Sequence, residues 1–129
     1  MEIEELITTL RDAVRDLPKK YENNADDIRD LEHKTTDYLH YFELVDLNAS
    51  EGFRAYKDLQ QIQKDRRALK DENELLKHVY PLLKSLRGNL SQMDKAIGEI
   101  RKSKGVMKKR KYRCRSAKEL EDKINGKTT

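Results

Sequence analysis

The clearest pattern in the chain is a row of leucines and isoleucines that recurs every seven residues. Its members are Ile62, Leu69, Leu76, Leu83, Leu90 and Ile97. Such a repeat is typical of α-helices that pack side by side with a left-handed twist. The residues three positions before each member are mostly polar, and Asn73 is one of them. An amide in this position fixes the register between two helices, so we include Asn73 in the predicted seam.

Apolar residues in the first third of the chain recur with helical spacing and predict two helices. The first covers residues 2–16 and ends at Pro18, because proline disfavours helix at the residue before it. The second runs over about residues 24–45, with Asn24 as a plausible N-cap.

A third and much longer helix is predicted from Asn48 onward. Asn48 and Glu51 have the spacing of a capping box. The helical pattern continues to about residue 104, and Gly105 is a natural stop. Pro81 lies inside it, so we expect either a kink near residue 80 or a break that makes Pro81 the first residue of a fourth helix.

Near the C-terminus, Ser116 and Glu119 form another capping-box pattern, which predicts a short helix over about residues 117–124. The chain therefore reads as a helical bundle or coiled-coil domain over residues 1–104, followed by a basic tail with a short helix over residues 105–129. The predicted fold is all-α: an elongated helical hairpin or bundle with coiled-coil character, kinked near Pro81. An antiparallel hairpin, with or without dimerisation, is favoured, and a parallel dimeric coil is the alternative.

Charge is distributed unevenly along this framework. Charged residues make up 40% of the chain. Residues 1–60 contain 8 Lys or Arg and 15 Asp or Glu, for a net charge of −7, whereas residues 61–129 contain 20 and 9, for +11. The acidic half can therefore pack against the basic half, or the basic end can bind nucleic acid or an acidic protein.

The sequence favours a reduced compartment and gives no sign of a membrane span. Cys114 is the one cysteine, so no internal disulfide framework is possible. No apolar run approaches the roughly 20 residues that cross a bilayer, and the acidic N-terminus lacks the apolar core of a signal peptide. We expect a cytoplasmic protein without membrane contact.

Catalytic and metal-binding patterns are weak. No glycine-rich phosphate loop, cysteine pair or nucleophile–base pair stands out. His33, Asp37 and His40 share one face of a helix, but we interpret them as solvated or interface residues rather than zinc ligands. We therefore expect no enzyme activity, no metal and no cofactor.

Two groups of residues are candidates for binding a macromolecule. The first combines helix-borne aromatic and basic side chains as a protein-binding surface: Tyr38, Tyr41, Phe42, Arg66, Arg67 and Lys70. The second lies in a run of nine Lys or Arg without an acid over residues 101–115, where a tyrosine among cations resembles segments that bind nucleic acid: Lys108, Lys109, Arg110, Lys111, Tyr112, Arg113 and Arg115.

The residues from His33 to Leu83 resemble small helical proteins of unassigned function from phages and prophages of Gram-positive bacteria. The resemblance lies in the stretches Leu39-His40-Tyr41-Phe42-Glu43-Leu44, Leu47-Asn48-Ala49-Ser50-Glu51-Gly52-Phe53, Leu59-Gln60 and Arg66-Arg67-Ala-Leu-Lys70. It implies a phage context, in which such proteins often act as inhibitors or adaptors in the host cytoplasm.

The sequence therefore favours a non-enzymatic protein-binding module, an inhibitor or adaptor of a host or defence-system protein, with a homodimer as the favoured assembly. A nucleic-acid-binding protein that uses residues 101–115 is one alternative. A phage structural or assembly protein is the other.

Overall fold

The computed structural model describes residues 2–127, and helices dominate them. The α-helices are α1 (Ile3–Leu44), α2 (Ala49–Ser85), α3 (Leu90–Lys109) and α4 (Glu121–Lys127). Single 3-10 turns occupy Arg87–Asn89 and Lys118–Leu120. No strand occurs in residues 2–127. The predicted all-α class and the short C-terminal helix are confirmed.

Helix α1 is one continuous element, so the predicted end of a first helix at Pro18 is wrong. The helix runs through Pro18, which is fully buried, as is Val14 one turn earlier. A proline costs a helix one hydrogen bond and a steric clash. In a long helix, burial of its apolar face can outweigh that local cost, because helices in proteins are stabilised mainly by packing.

The prediction of Asn24 as an N-cap is wrong for the same reason. Asn24 lies in the middle of α1 and is only 6% exposed. A feature of the sequence does indicate one helix: from Ile3 to Val45, intervals of four and three residues alternate without a change of phase. The positions are Ile3, Ile7, Leu10, Val14, Leu17, Tyr21, Asn24, Ile28, Leu31, Thr35, Tyr38, Phe42 and Val45.

Helix α2 begins where the capping pattern predicts. The Asn48 side chain accepts a hydrogen bond from the Glu51 backbone N–H at 2.8 Å, and the Asn48 carbonyl accepts one from Gly52 at 2.8 Å. The Asn48 amide also donates to the Glu51 carboxylate at 2.5 Å. The Glu51 N–H, a backbone donor that the first helical turn leaves without a partner, is therefore satisfied.

The prediction of an unbroken helix to residue 104 is wrong, and so is that of a new helix opened by Pro81. Helix α2 continues through Pro81 to Ser85. Leu86 is its C-cap, and the Leu86 N–H bonds to the carbonyls of Leu83 and Lys84 in a tightened last turn. The 3-10 turn that follows contains Gly88, a poor helix former. The interruption thus lies beyond the proline.

Helix α3 passes through Gly105, which is not its end as predicted. Glycine stops a helix when it takes a positive φ, and no described glycine does so. The helix ends at Lys109, before the extended residue Arg110. The predicted capping box at Ser116 is not formed, because the following 3-10 turn has Ala117 as its N-cap without a side-chain hydrogen bond.

The chain divides into two compact units. One contains residues 12–88, that is, most of α1 together with α2. Within this unit Glu22 bonds to Tyr80, Asn24 to Asn73 and Glu32 to Arg66. Residue numbers rise on α1 as they fall on α2, so the two helices are antiparallel, as the hairpin prediction expects.

The other unit contains the described residues up to Arg11 and those from Asn89 onward. Here Glu4 forms an ion pair with Arg101 and Arg11 forms one with Asp94, again in antiparallel order. Ile97 is 2% exposed and is the core of this unit. The division at residue 104 and the formation of a dimer stay predictions.

Candidate functional site

The two rows of the predicted seam have different environments in the structure. In the apolar row Leu76, Leu83 and Ile97 are buried. The remaining three are half-buried: Ile62, Leu69 and Leu90. The polar row of residues 12–88, which we define as Arg66, Asn73, Tyr80 and Arg87, pairs throughout with α1. These polar side chains therefore hold the hairpin together.

The centre of the polar row is a pair of amides. The Asn24 side-chain amide donates to the side-chain oxygen of Asn73 at 3.0 Å and to the Glu72 carboxylate at 2.6 Å. The Asn73 amide in turn donates to the backbone carbonyl of Tyr21 at 3.1 Å. This network lowers the pKa of Glu72, chiefly through the hydrogen bond from Asn24. Asn73, which the sequence predicts to fix the register, thus pairs with one specific residue of α1, the buried Asn24.

Close to Asn24 on α1, Glu22 accepts one hydrogen bond from Tyr80 of α2 and one from Arg87 of the 3-10 turn that follows α2. Arg87 donates to its carboxylate at 2.7 Å and Tyr80 at 3.0 Å. The Tyr80 ring also stacks on Tyr21, with 4.3 Å between ring centroids. The hydrogen bonds from Arg87 and Tyr80 lower the pKa of Glu22. The charged form of Glu22 therefore persists to a lower pH than that of an ordinary glutamate.

Of the three basic residues in the predicted protein-binding surface, Arg66 forms an ion pair within the chain. Its guanidinium bonds to Glu32 at 3.1 Å, and its side chain is 24% exposed. Arg67 and Lys70 are exposed and line an open cavity of about 480 Å³ together with Tyr21 and Asp71. From its place in the seven-residue repeat, Arg66 is expected either to pair with an acid of the preceding helix or to contact a partner, and the structure shows the pairing with Glu32.

The aromatic candidates lie at the end of the hairpin where α1 passes into α2. Phe42 contacts both Tyr38 and Tyr41, with ring centroids 6.3 and 6.2 Å apart. Tyr38 is half-buried and its hydroxyl donates to Asp58 at 3.5 Å. Burial raises the pKa of Tyr38, and the Asp58 carboxylate adds to the effect. Tyr41 and Phe42 remain 40% and 37% exposed.

A cavity of about 450 Å³ opens beside these rings. Its apolar lining comes from Tyr38, Tyr41 and Ala55, and its charged lining from three carboxylates and one guanidinium: Asp37, Glu51, Asp58 and Arg54. Neither Arg66 nor the Arg67–Lys70 pair lines it. The structure therefore does not bring the two parts of the predicted protein-binding surface into one cavity.

Further apolar side chains at this end were missed by the sequence argument. We define the hairpin-end surface as the large apolar residues exposed between positions 39 and 56: Leu39, Tyr41, Phe42, Leu44, Val45, Phe53 and Tyr56. Phe53 and Tyr56 fall outside both rows of the seven-residue repeat. An aromatic residue on the outward side of a predicted seam is the signal that would have found them.

The structure divides the run of cations over residues 101–115 into two parts. Arg101 and Lys104 form ion pairs with Glu4, and Lys104 also pairs with Glu2. The hydrogen bond to Glu4 raises the pKa of Lys104. The second part, which we call the basic segment, covers residues 108–115. Its cations are exposed: Lys108, Lys109, Arg110, Lys111, Arg113 and Arg115.

Residues 2–127 contain no group of three or more His, Cys, Asp or Glu side chains arranged to hold a metal ion. Within the same range, no helix has both the length and the apolar character needed to cross a membrane. The chain matches no known family model, no curated protein and no solved structure.

Proposed function

We propose that the protein is a non-enzymatic protein-binding module that docks on its partner through the hairpin-end surface. The observation that carries this proposal is the concentration of seven large apolar side chains, all exposed, between residues 39 and 56. Single exposed apolar residues are ordinary, whereas clusters of them mark interaction sites. Aromatic side chains are also the residue types that contribute most to protein–protein binding.

The lining of the adjacent cavity indicates the chemistry of the partner. Three carboxylates and one arginine line the cavity together with Tyr38 and Tyr41. A complementary protein surface would insert an apolar side chain between the aromatic rings and present lysine or arginine around it. Such charges would speed the encounter and align the complex, and salt would weaken their contribution.

The displaced pKa values in the chain have structural causes, so a binding role accounts for them without a catalytic site. Glu22, Glu72 and Lys104 have displaced pKa values because each one bonds to a neighbouring helix. Shifts of this kind arise from structural ion pairs as well as from active sites. The resemblance of residues 33–83 to phage proteins suggests the biological setting, an inhibitor or adaptor that binds a host or defence-system protein.

A differential capture experiment tests the proposal. The wild-type chain and the Tyr41→Ser/Phe53→Ser variant are each immobilised and exposed to a nuclease-treated lysate of a Gram-positive bacterium. Bound proteins are compared by quantitative mass spectrometry. We expect one protein to be retained by the wild type in a stoichiometric complex and to be lost from the variant, because the variant lacks two of the rings at the hairpin end.

The matched control is Leu75→Ser/Leu82→Ser. These leucines are 75% and 61% exposed and lie on α2 outside the hairpin-end surface. The control should retain the partner, and circular dichroism should show equal helicity in all three proteins. Equal capture by the wild type and by Tyr41→Ser/Phe53→Ser would contradict the proposal. Light scattering that shows large homo-oligomers would favour an assembly role instead.

A further inference from the structure

We propose that the basic segment is a second, independent binding site, which takes a single-stranded nucleic acid. Its cations are exposed, and none of them forms an ion pair with a described residue. The acidic residues that follow in sequence do not pair with these cations either: Glu119, Glu121 and Asp122. By contrast, Arg101, Lys102 and Lys104, which precede the segment, are all paired with glutamates. The chain thus neutralises one part of the cationic run and leaves the other available to phosphates.

Tyr112 supplies the second element that such a site needs. It lies among the cations and is 55% exposed. Proteins that bind single strands combine a positive path for the backbone with aromatic rings on which bases stack. In a duplex the bases are already paired and stacked, so an exposed tyrosine favours an unpaired strand.

The backbone at Tyr112 is held in place by Asn125 of α4. The Tyr112 N–H donates to the Asn125 side-chain oxygen at 2.7 Å, and the Asn125 amide donates to the Tyr112 carbonyl at 3.2 Å. One side chain thereby satisfies both backbone groups of one residue, much as a paired residue does in an antiparallel sheet. The Tyr112 ring is therefore attached to a backbone that is already fixed, which reduces the entropy lost on binding.

The first test is the salt dependence of binding, measured by fluorescence anisotropy with labelled oligothymidylate between about 50 and about 200 mM salt. If all six cations contact phosphate, the slope of log K against log salt should be about −4 for a single strand. The variant Lys111→Gln/Arg113→Gln/Arg115→Gln should reduce its magnitude by about 2. The charge-matched control Lys19→Gln/Lys34→Gln/Lys64→Gln, at exposed positions in residues 12–88, should leave the slope unchanged.

The second test separates base stacking from charge. Tyr112→Ala should weaken binding by about fivefold to about 150-fold without a change in slope, because stacking on one ring has that magnitude. Tyr112→Phe should bind like the wild type. Asn125→Ala should weaken binding and accelerate hydrogen exchange at the Tyr112 amide, again without a change in slope.

Two results would overturn the inference. One is the absence of binding at about 50 mM salt, where phosphate contacts are strongest. The other is equal affinity for polyphosphate, which has no bases, together with no effect of Tyr112→Ala. Tyr41→Ser/Phe53→Ser should bind oligothymidylate normally, so failure of the hairpin-end proposal and failure of this one are distinguishable.

Discussion

At the scale of single residues, the interface between α1 and α2 depends on side chains that a purely apolar coil would not contain. Asn24 is only 6% exposed and is the one buried polar residue of the described chain. Every buried side-chain nitrogen and oxygen in residues 2–127 has a hydrogen-bond partner. A buried polar group without a partner is costly. Removing one side chain of such a hydrogen-bonded pair therefore also destabilises the fold through the partner that is left unpaired.

The amide pair gives the first prediction. Asn24→Ala removes both donors to Asn73 and Glu72, and it should lower the free energy of unfolding by about 1–3 kcal/mol. The measurement is urea unfolding followed by circular dichroism. Asn23→Ala, at the adjacent exposed position, should change stability much less. Additive effects of Asn24→Ala and Asn73→Ala in a double-mutant cycle would show that the two side chains do not interact.

The Glu22 cluster predicts a dependence of stability on pH. The folded-state pKa of Glu22 is lowered, mainly by the hydrogen bond from Arg87 and then by that from Tyr80. A lowered folded-state pKa stabilises the fold above the unfolded-state value of about 4.3, and this contribution is lost as the pH falls through the folded-state pKa. Glu22→Gln should therefore be less stable than the wild type at neutral pH, with a difference that disappears in acid. A constant difference across the titration would contradict this assignment, and Asp30→Asn serves as the exposed control.

At the scale of helices, the two prolines differ in environment and should differ on substitution. Pro81 is exposed within α2, so Pro81→Ala restores a hydrogen bond and should raise the free energy of unfolding, by up to about 3 kcal/mol. Pro18 is fully buried, so Pro18→Ala also removes packed atoms and should stabilise less or destabilise. Urea unfolding of both variants checks the order, and an equal gain would show that burial of Pro18 contributes nothing.

The helices also show which features a sequence specifies locally. Asn48 caps α2 as predicted because both members of the capping box lie within one turn of each other. The prediction failed at Pro18 and Gly105, since each residue permits a helix end but does not require one. Whether the helix ends there depends on packing against residues that are distant in sequence, and the local sequence pattern does not reveal that packing.

At the scale of the whole molecule, residues 12–88 contain their own set of interhelical contacts. The pairs Glu22–Arg87, Asn24–Asn73 and Glu32–Arg66 all lie within this unit. A fragment of residues 12–88 should therefore be helical and unfold cooperatively in urea. Asn24→Ala should destabilise the fragment as it does the full chain. A fragment that is unordered by circular dichroism would contradict this prediction.

The site was less predictable than the fold. The seven-residue repeat identified the buried Leu76, Leu83 and Ile97 correctly. It did not indicate that Phe53 would remain exposed. A repeat reports which side chains face a neighbouring helix. Exposure on the opposite side depends on what else covers the helix, and that is decided by the complete fold.

The polar row has a consequence for alignment. The apolar row is nearly uniform, so a shift of α2 by seven residues along α1 would exchange one leucine or isoleucine for another. The polar row does not tolerate such a shift. Arg87, which now meets Glu22, would face Arg29 after a slip in one direction and Arg15 after a slip in the other, and like charges would repel in both cases. Asn73 would meet Leu31 or Leu17 in place of Asn24. A hairpin shifted by seven residues in either direction is therefore less stable than the observed one, so the polar row selects the observed alignment.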